Sequence, residues 1–172
     1  MRTTWKVAAV LVLSMAILVP RSNAAPGGGA EAFEKLKSLA GHWESVKTNT
    51  QKAALDMELT AGGTALIEKF RLLENGKPAE MTTLYFLDGD QLKLTHYCVA
   101  GNQPTMKGSY APETKTITFD LVSVSNLKSP DDGHVYHAVV TFIDNDHLRA
   151  TWKFRKDQKD AFTEDITYAR AK

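Results

Sequence analysis

The sequence predicts an all-β protein, an antiparallel up-and-down meander closed into a barrel of about 8–10 strands with one short N-terminal helix. Three observations predict it. Apolar residues recur with period 2 from about residue 52 to residue 170. Turn-forming pairs such as Gly62-Gly63, Asn75-Gly76 and Asp88-Gly89 punctuate that pattern at short intervals. No helical segment in the region is long enough for a βαβ crossover, which excludes a parallel sheet. A meander hides its edges most simply by closing on itself. A two-sheet sandwich needs longer connections, and only residues 123–133 offer one.

The first 24 residues read as an export signal. Arg2 and Lys6 form a basic start, residues 7–19 an apolar run, and Ser22-Asn23-Ala24 a small-residue cleavage site. The run is short for a membrane span of roughly 20 residues. No stable span is expected after cleavage, and the protein is expected to be secreted or periplasmic. Losing Arg2, Lys6 and Arg21 takes the 21 basic residues to 18 against 20 acidic, a mature charge of −2. That balance argues against a nucleic-acid partner. Residues 25–30 read as a Pro/Gly-rich flexible linker and residues 31–172 as one domain. In an oxidising compartment the single Cys98 has no internal disulfide partner, so it reads as a small buried apolar residue.

Phe33, Leu36, Leu39 and Ala40 lie at helical spacing, which predicts a helix over residues 31–40 ended by Gly41. His42 and Trp43 start the first strand. Residues 52–60 place Ala53, Leu55, Met57 and Leu59 on one face. Residues 64–73 align Leu66, Glu68, Phe70 and Leu72, and residues 80–87 form the next strand. The strand over residues 91–99 aligns Leu92, Leu94, His96 and Cys98 against Gln91, Lys93, Thr95 and Tyr97. A polar loop, Gly101-Asn102-Gln103-Pro104, follows it. Residues 105–111, 115–121, 134–143, 147–156 and 162–170 complete the meander.

Gly41-His42-Trp43 after a short helix resembles the Gly-x-Trp opening of the lipocalins and the wider calycin group. The resemblance implies a late-strand cation across the Trp, and Arg170 matches that position, so Trp43 and Arg170 are expected as the pair that closes the barrel. Asp88-Gly89-Asp90, Leu94-Thr95-His96-Tyr97-Cys98 and Gly101-Asn102-Gln103-Pro104 are similar to bacterial lipocalin-like domain proteins of unknown function. The related nitrobindin-type haem barrels use a proximal histidine late in the chain. The last histidine here is His147, at the start of a strand, and no cofactor is expected.

Polar residues that share a face with core residues are the candidate ligand contacts. They are Glu68, His96 and Glu164, with His137 among Val135, Val139 and Ile143 in competition with the opposite face of its strand. Tyr97, Cys98 and Asn102 join them at the rim. Each also reads as a solvent-facing residue at a strand end, and His96 as a satisfied structural histidine. His134 and His137 stand three apart on one strand and face opposite ways, so no metal site is assigned. No Gly-x-Ser-x-Gly elbow, phosphate loop or His-Glu-x-x-His helix appears, so no catalytic residue is assigned.

The reading is an exported protein holding a small apolar or amphipathic ligand in its barrel. Two alternatives stand beside it. A structural or interaction barrel with a filled core predicts no cavity above about 300 Å³. A small hydrolase or isomerase predicts His96 within about 3 Å of a carboxylate or thiol.

Overall fold

A computed structural model of the chain describes residues 28–46, 52–74 and 77–172. The export signal, the proposed cleavage site and the Asn75-Gly76 turn lie outside the described residues. Ten antiparallel strands follow a short helix, α1 (Gly29–Lys37). They are β1 (Gly41–Ser45), β2 (Ala53–Thr60), β3 (Ala65–Glu74), β4 (Lys77–Asp88) and β5 (Gln91–Tyr97). The second half contributes β6 (Gln103–Ala111), β7 (Thr116–Ser125), β8 (His134–Phe142), β9 (His147–Lys156) and β10 (Lys159–Arg170). Each strand pairs with its sequence neighbours, and β1 pairs with β10, so the sheet is a closed barrel. The all-β barrel expected from period and turn chemistry is the observed fold, with the upper strand number.

The two barrel ends differ. Helix α1 packs on β4, β5 and β6 at the end where Asp88-Gly89-Asp90 turns the chain. It buries Ala32, Phe33 and Leu36. The backbone N–H of Gly29 donates to the carbonyl of Asp90, 3.0 Å. A Cβ at Gly29 would lie 2.4 Å from that carbonyl oxygen and 2.4 Å from the Leu92 nitrogen. Gly29 is therefore a packing glycine within the helix, which corrects the expectation that the linker runs to residue 30. The helix also ends earlier than expected, at Lys37. Gly41 opens β1 instead, with φ +136°, a conformation that a side chain would strain.

The lower half of the lumen is filled. Trp43, Tyr85, Phe119, Leu92, Leu94, Met106 and Ile166 are fully buried there. Leu59, expected on the core face of β2, is largely exposed because β2 runs past the barrel wall toward the Ala61–Gly63 turn. Four strands are longer than the sequence pattern implied. β4 begins at Lys77, β10 at Lys159, β7 reaches Ser125, and β6 takes in Gln103 and Pro104; β5 ends at Tyr97, so the rim loop is residues 98–102.

Barrel closure centres on Arg170. Trp43 and Arg170 are register partners across β1 and β10, and the guanidinium carbon lies 4.1 Å from the Trp43 ring centroid. Arg170 Nη1 donates to the carbonyl of Ala40 (2.9 Å) and Nη2 to that of Ser38 (3.0 Å). The Trp43 indole N–H donates to the Leu39 carbonyl at 2.7 Å. One side chain thus ties the last strand to the first and caps the carbonyls after α1.

Candidate functional site: a half-hollow barrel with an acidic floor

Registration places three polar residues side by side. Glu68 on β3 faces Thr83 on β4, and Thr83 faces His96 on β5. Cross-strand neighbours on one face stand roughly 5 Å apart at Cβ, within reach of a bridging hydroxyl. The Thr83 hydroxyl shares a hydrogen bond with His96 Nδ1 (3.0 Å) and points at Glu68 Oε1 from 3.5 Å. One turn of the pleat below, the Tyr85 hydroxyl donates to Glu68 Oε2 at 2.8 Å. Glu68, Thr83, Tyr85 and His96 are all buried.

Opposite this row, Trp152 on β9 is flanked by Ala138 on β8 and Glu164 on β10. The Trp152 and His96 rings meet across the lumen with centroids 5.0 Å apart. Over this level the barrel is hollow. A cavity of about 590 Å³ opens toward the end away from α1. Its apolar walls include Leu55, Phe70, Leu72, Met81 and Val135, and its rings include Trp152, Phe154, Phe162 and Tyr168. Phe162 stands at the rim, exposed, and stacks on Phe154 at 4.9 Å. Glu68, His96, Cys98, Thr163 and Glu164 supply the polar side-chain groups beside Tyr168.

Burial sets the charge states. Loss of hydration pushes the Glu68 carboxyl up to about 7, against hydrogen bonds from Tyr85 and Thr83 that favour the ionised form, and the nearby Glu164 charge adds to the rise. Desolvation drops the His96 imidazole to about 4, so it is neutral at physiological pH. Burial holds the Tyr85 and Tyr168 hydroxyls well above their ordinary value, and the Glu68 charge pushes the same way on both. The Cys98 thiol is also raised by burial, so it is a poor nucleophile in this setting.

The candidate residues from sequence divide accordingly. Glu68, His96, Cys98 and Glu164 line the cavity. Tyr97 is half exposed on the outer face of β5, as its alternation with His96 requires. His137 lies outside the barrel, where its Nδ1 pairs with Asp120 Oδ1 at 3.0 Å. A bulge between Val135 and His137 shifts the register of β8, so Val135 and His134 are buried and His137 is turned out. His137 is therefore corrected from ligand contact to surface residue. Asn102 is buried at the base of the rim loop but lines a separate outer hollow, together with Asn126 and Lys128. Its amide donates to the Gly133 carbonyl at 2.8 Å, and its Oδ1 accepts from no protein group among the described residues.

Sequence reasoning missed Thr83 and Tyr85. The signal was present, since Met81, Thr83, Tyr85 and Leu87 alternate. The opposite set, Leu84 and Phe86, is equally apolar, so period 2 alone did not choose the inner face.

The chain matches no family model and no curated protein. Among solved structures it is similar to the crystal structure of Rv2717c from M. tuberculosis, with 18% sequence identity and a TM-score of 0.56 over 87% of this chain and 100% of that one. At that identity the similarity is one of fold.

Proposed function

We propose that this is an exported carrier that holds one small amphipathic ligand in the open half of its barrel. The observation that carries the reading is the cavity of about 590 Å³ above a filled floor. Small-molecule sites run from about 300 to 1,000 Å³ and combine apolar walls with a few fixed polar groups. Here the polar groups gather at one depth, beside Glu68 and His96. An apolar body would lie against Phe70, Phe154 and Trp152, with its polar end on that floor. The volume weighs against a filled structural barrel. The Nδ1 atom of His96 is engaged by a threonine hydroxyl, which weighs against an acid–base pair with a carboxylate or thiol.

Export rests on the basic, apolar and small-residue pattern of residues 1–24. Native mass spectrometry of protein recovered from the periplasm or medium tests both halves of the reading. The expected result is a chain beginning at residue 25 with an extra mass that is lost on denaturation. A chain with an intact leader overturns export. A bare mass, with no uptake of an apolar fluorescent dye, overturns the carrier reading.

A further inference from the structure

We propose that the ligand is an organic cation, an apolar body bearing a protonated amine, with Glu68 and Glu164 as its counter-charges. This rests on the reading of the barrel as a ligand carrier and names the chemistry of the group it selects.

The lining carries the argument. Among the described residues that face the cavity, Glu68 and Glu164 can carry charge at neutral pH, and both are acids. None is Lys or Arg. The one imidazole, His96, is held neutral by burial. A carboxylate-bearing ligand such as a fatty acid would set its charge beside Glu68, and like charges at close quarters disfavour binding.

Glu68 is also set up to receive a donor. An ionised carboxylate offers about four acceptor sites, and the hydroxyls of Tyr85 and Thr83 take up two, the second over a long 3.5 Å contact. A buried carboxylate left without a cation is costly and tends to neutralise itself. An ammonium group arriving at Glu68 supplies charge-assisted hydrogen bonds, which are the stronger kind. The walls favour the same ligand. Phe70, Trp152, Phe154 and Tyr168 surround the space, and aromatic faces attract cations, Trp most of all.

The test uses three probes of one chain length: decylammonium, 1-decanol and decanoate. Isothermal titration of the purified protein at pH 8 gives their relative affinities. Decylammonium should bind at least about tenfold more tightly than decanol, the scale of a hydrogen bond to a charged group, and decanoate should bind most weakly. Glu68→Gln should lose most of the amine preference and leave decanol affinity within about twofold. Glu164→Gln, nearer the rim, should lower amine affinity in the same direction and serves if Glu68→Gln folds poorly. Decanoate binding as tightly as decylammonium, or an amine preference that survives both substitutions, would overturn the cation assignment while leaving a carrier. Binding of no probe at all would overturn the carrier reading itself.

Discussion

Glu68 and His96 titrate against each other, and Glu68→Gln separates them. The Glu68 carboxyl moves from 4.5 in the unfolded chain to about 7 in the barrel. Between those limits the folded state holds a proton that the unfolded state has released, so Glu68 makes stability fall as pH rises. At about 1.4 kcal/mol per pH unit, the whole interval amounts to about 3 kcal/mol, present below pH 4.5 and lost above pH 7. His96 acts in the opposite sense. Its imidazole falls from 6.5 to about 4, so the unfolded chain binds the extra proton and stability is lost as pH falls through that range.

From about pH 4.5 to 6.5 the two slopes cancel, and their joint contribution is a plateau. Glutamine keeps an acceptor for the Tyr85 hydroxyl but has no proton to lose. The variant should match wild type near pH 4.5 and exceed it by about 3 kcal/mol at pH 8. Between pH 5 and 6 the variant should gain about 1 kcal/mol that wild type does not. The groups facing Glu68 are Tyr85 on β4, His96 on β5, and Glu164 and Tyr168 on β10. The two tyrosines stay protonated through this window. Urea unfolding at unit pH steps from 5 to 8, taken as the difference between variant and wild type, removes the shared contribution of every other carboxylate. A difference that stays constant with pH would refute a neutral, buried Glu68.

Arg170→Lys keeps the cation over Trp43 but gives up the fork that reaches two carbonyls. It should destabilise the barrel by about 1–2 kcal/mol, read as a lower urea midpoint with unchanged m-value. Gly108→Ala would put a Cβ 2.8 Å from Leu92 Cδ2 and 2.8 Å from Phe119 Cε1 in the filled half. A loss of about 1–3 kcal/mol by thermal or chemical melting is expected from that overpacking. Cys98 lines the cavity with a raised thiol pKa, so its reaction with a disulfide reagent at pH 8 should be far slower than in the unfolded chain. Ligand should slow it further, and reaction at the unfolded rate would place the thiol outside the cavity.

The barrel was legible because its signals are local. Alternation in β2, β3, β5 and β9 and turn pairs such as Asp88-Gly89 need only neighbouring residues, and their strands fall within a residue or two of expectation. Trp43 and Arg170 stand far apart in sequence, and their pairing was legible only through the resemblance of Gly41-His42-Trp43 to the Gly-x-Trp opening of the lipocalins. The site was legible only in pieces. Period 2 singled out Glu68, His96 and Glu164, yet the row Glu68–Thr83–His96 depends on the register between three strands, which turn lengths alone did not determine. His137 was lost to a single bulge, because one extra residue turns a whole strand face over. Nor does alternation distinguish a filled lumen from a hollow one. That depends on the summed volume of Trp43, Tyr85 and Phe119 in one half and the smaller Ala150, Val135 and Ala79 in the other.

The clamp at Arg170 also orders events in time. A chain emerging from the ribosome N-terminus first can pair β1 with β2 and continue through β9, but every such intermediate is an open sheet with β1 unpaired on its outer edge. Only the arrival of β10, whose last residue is Arg170, supplies both the missing partner strand and the guanidinium that seats on Trp43. The lumen does not exist until β10 has been made, and a chain that stops short of that strand is a ribbon with two sticky borders in place of a vessel.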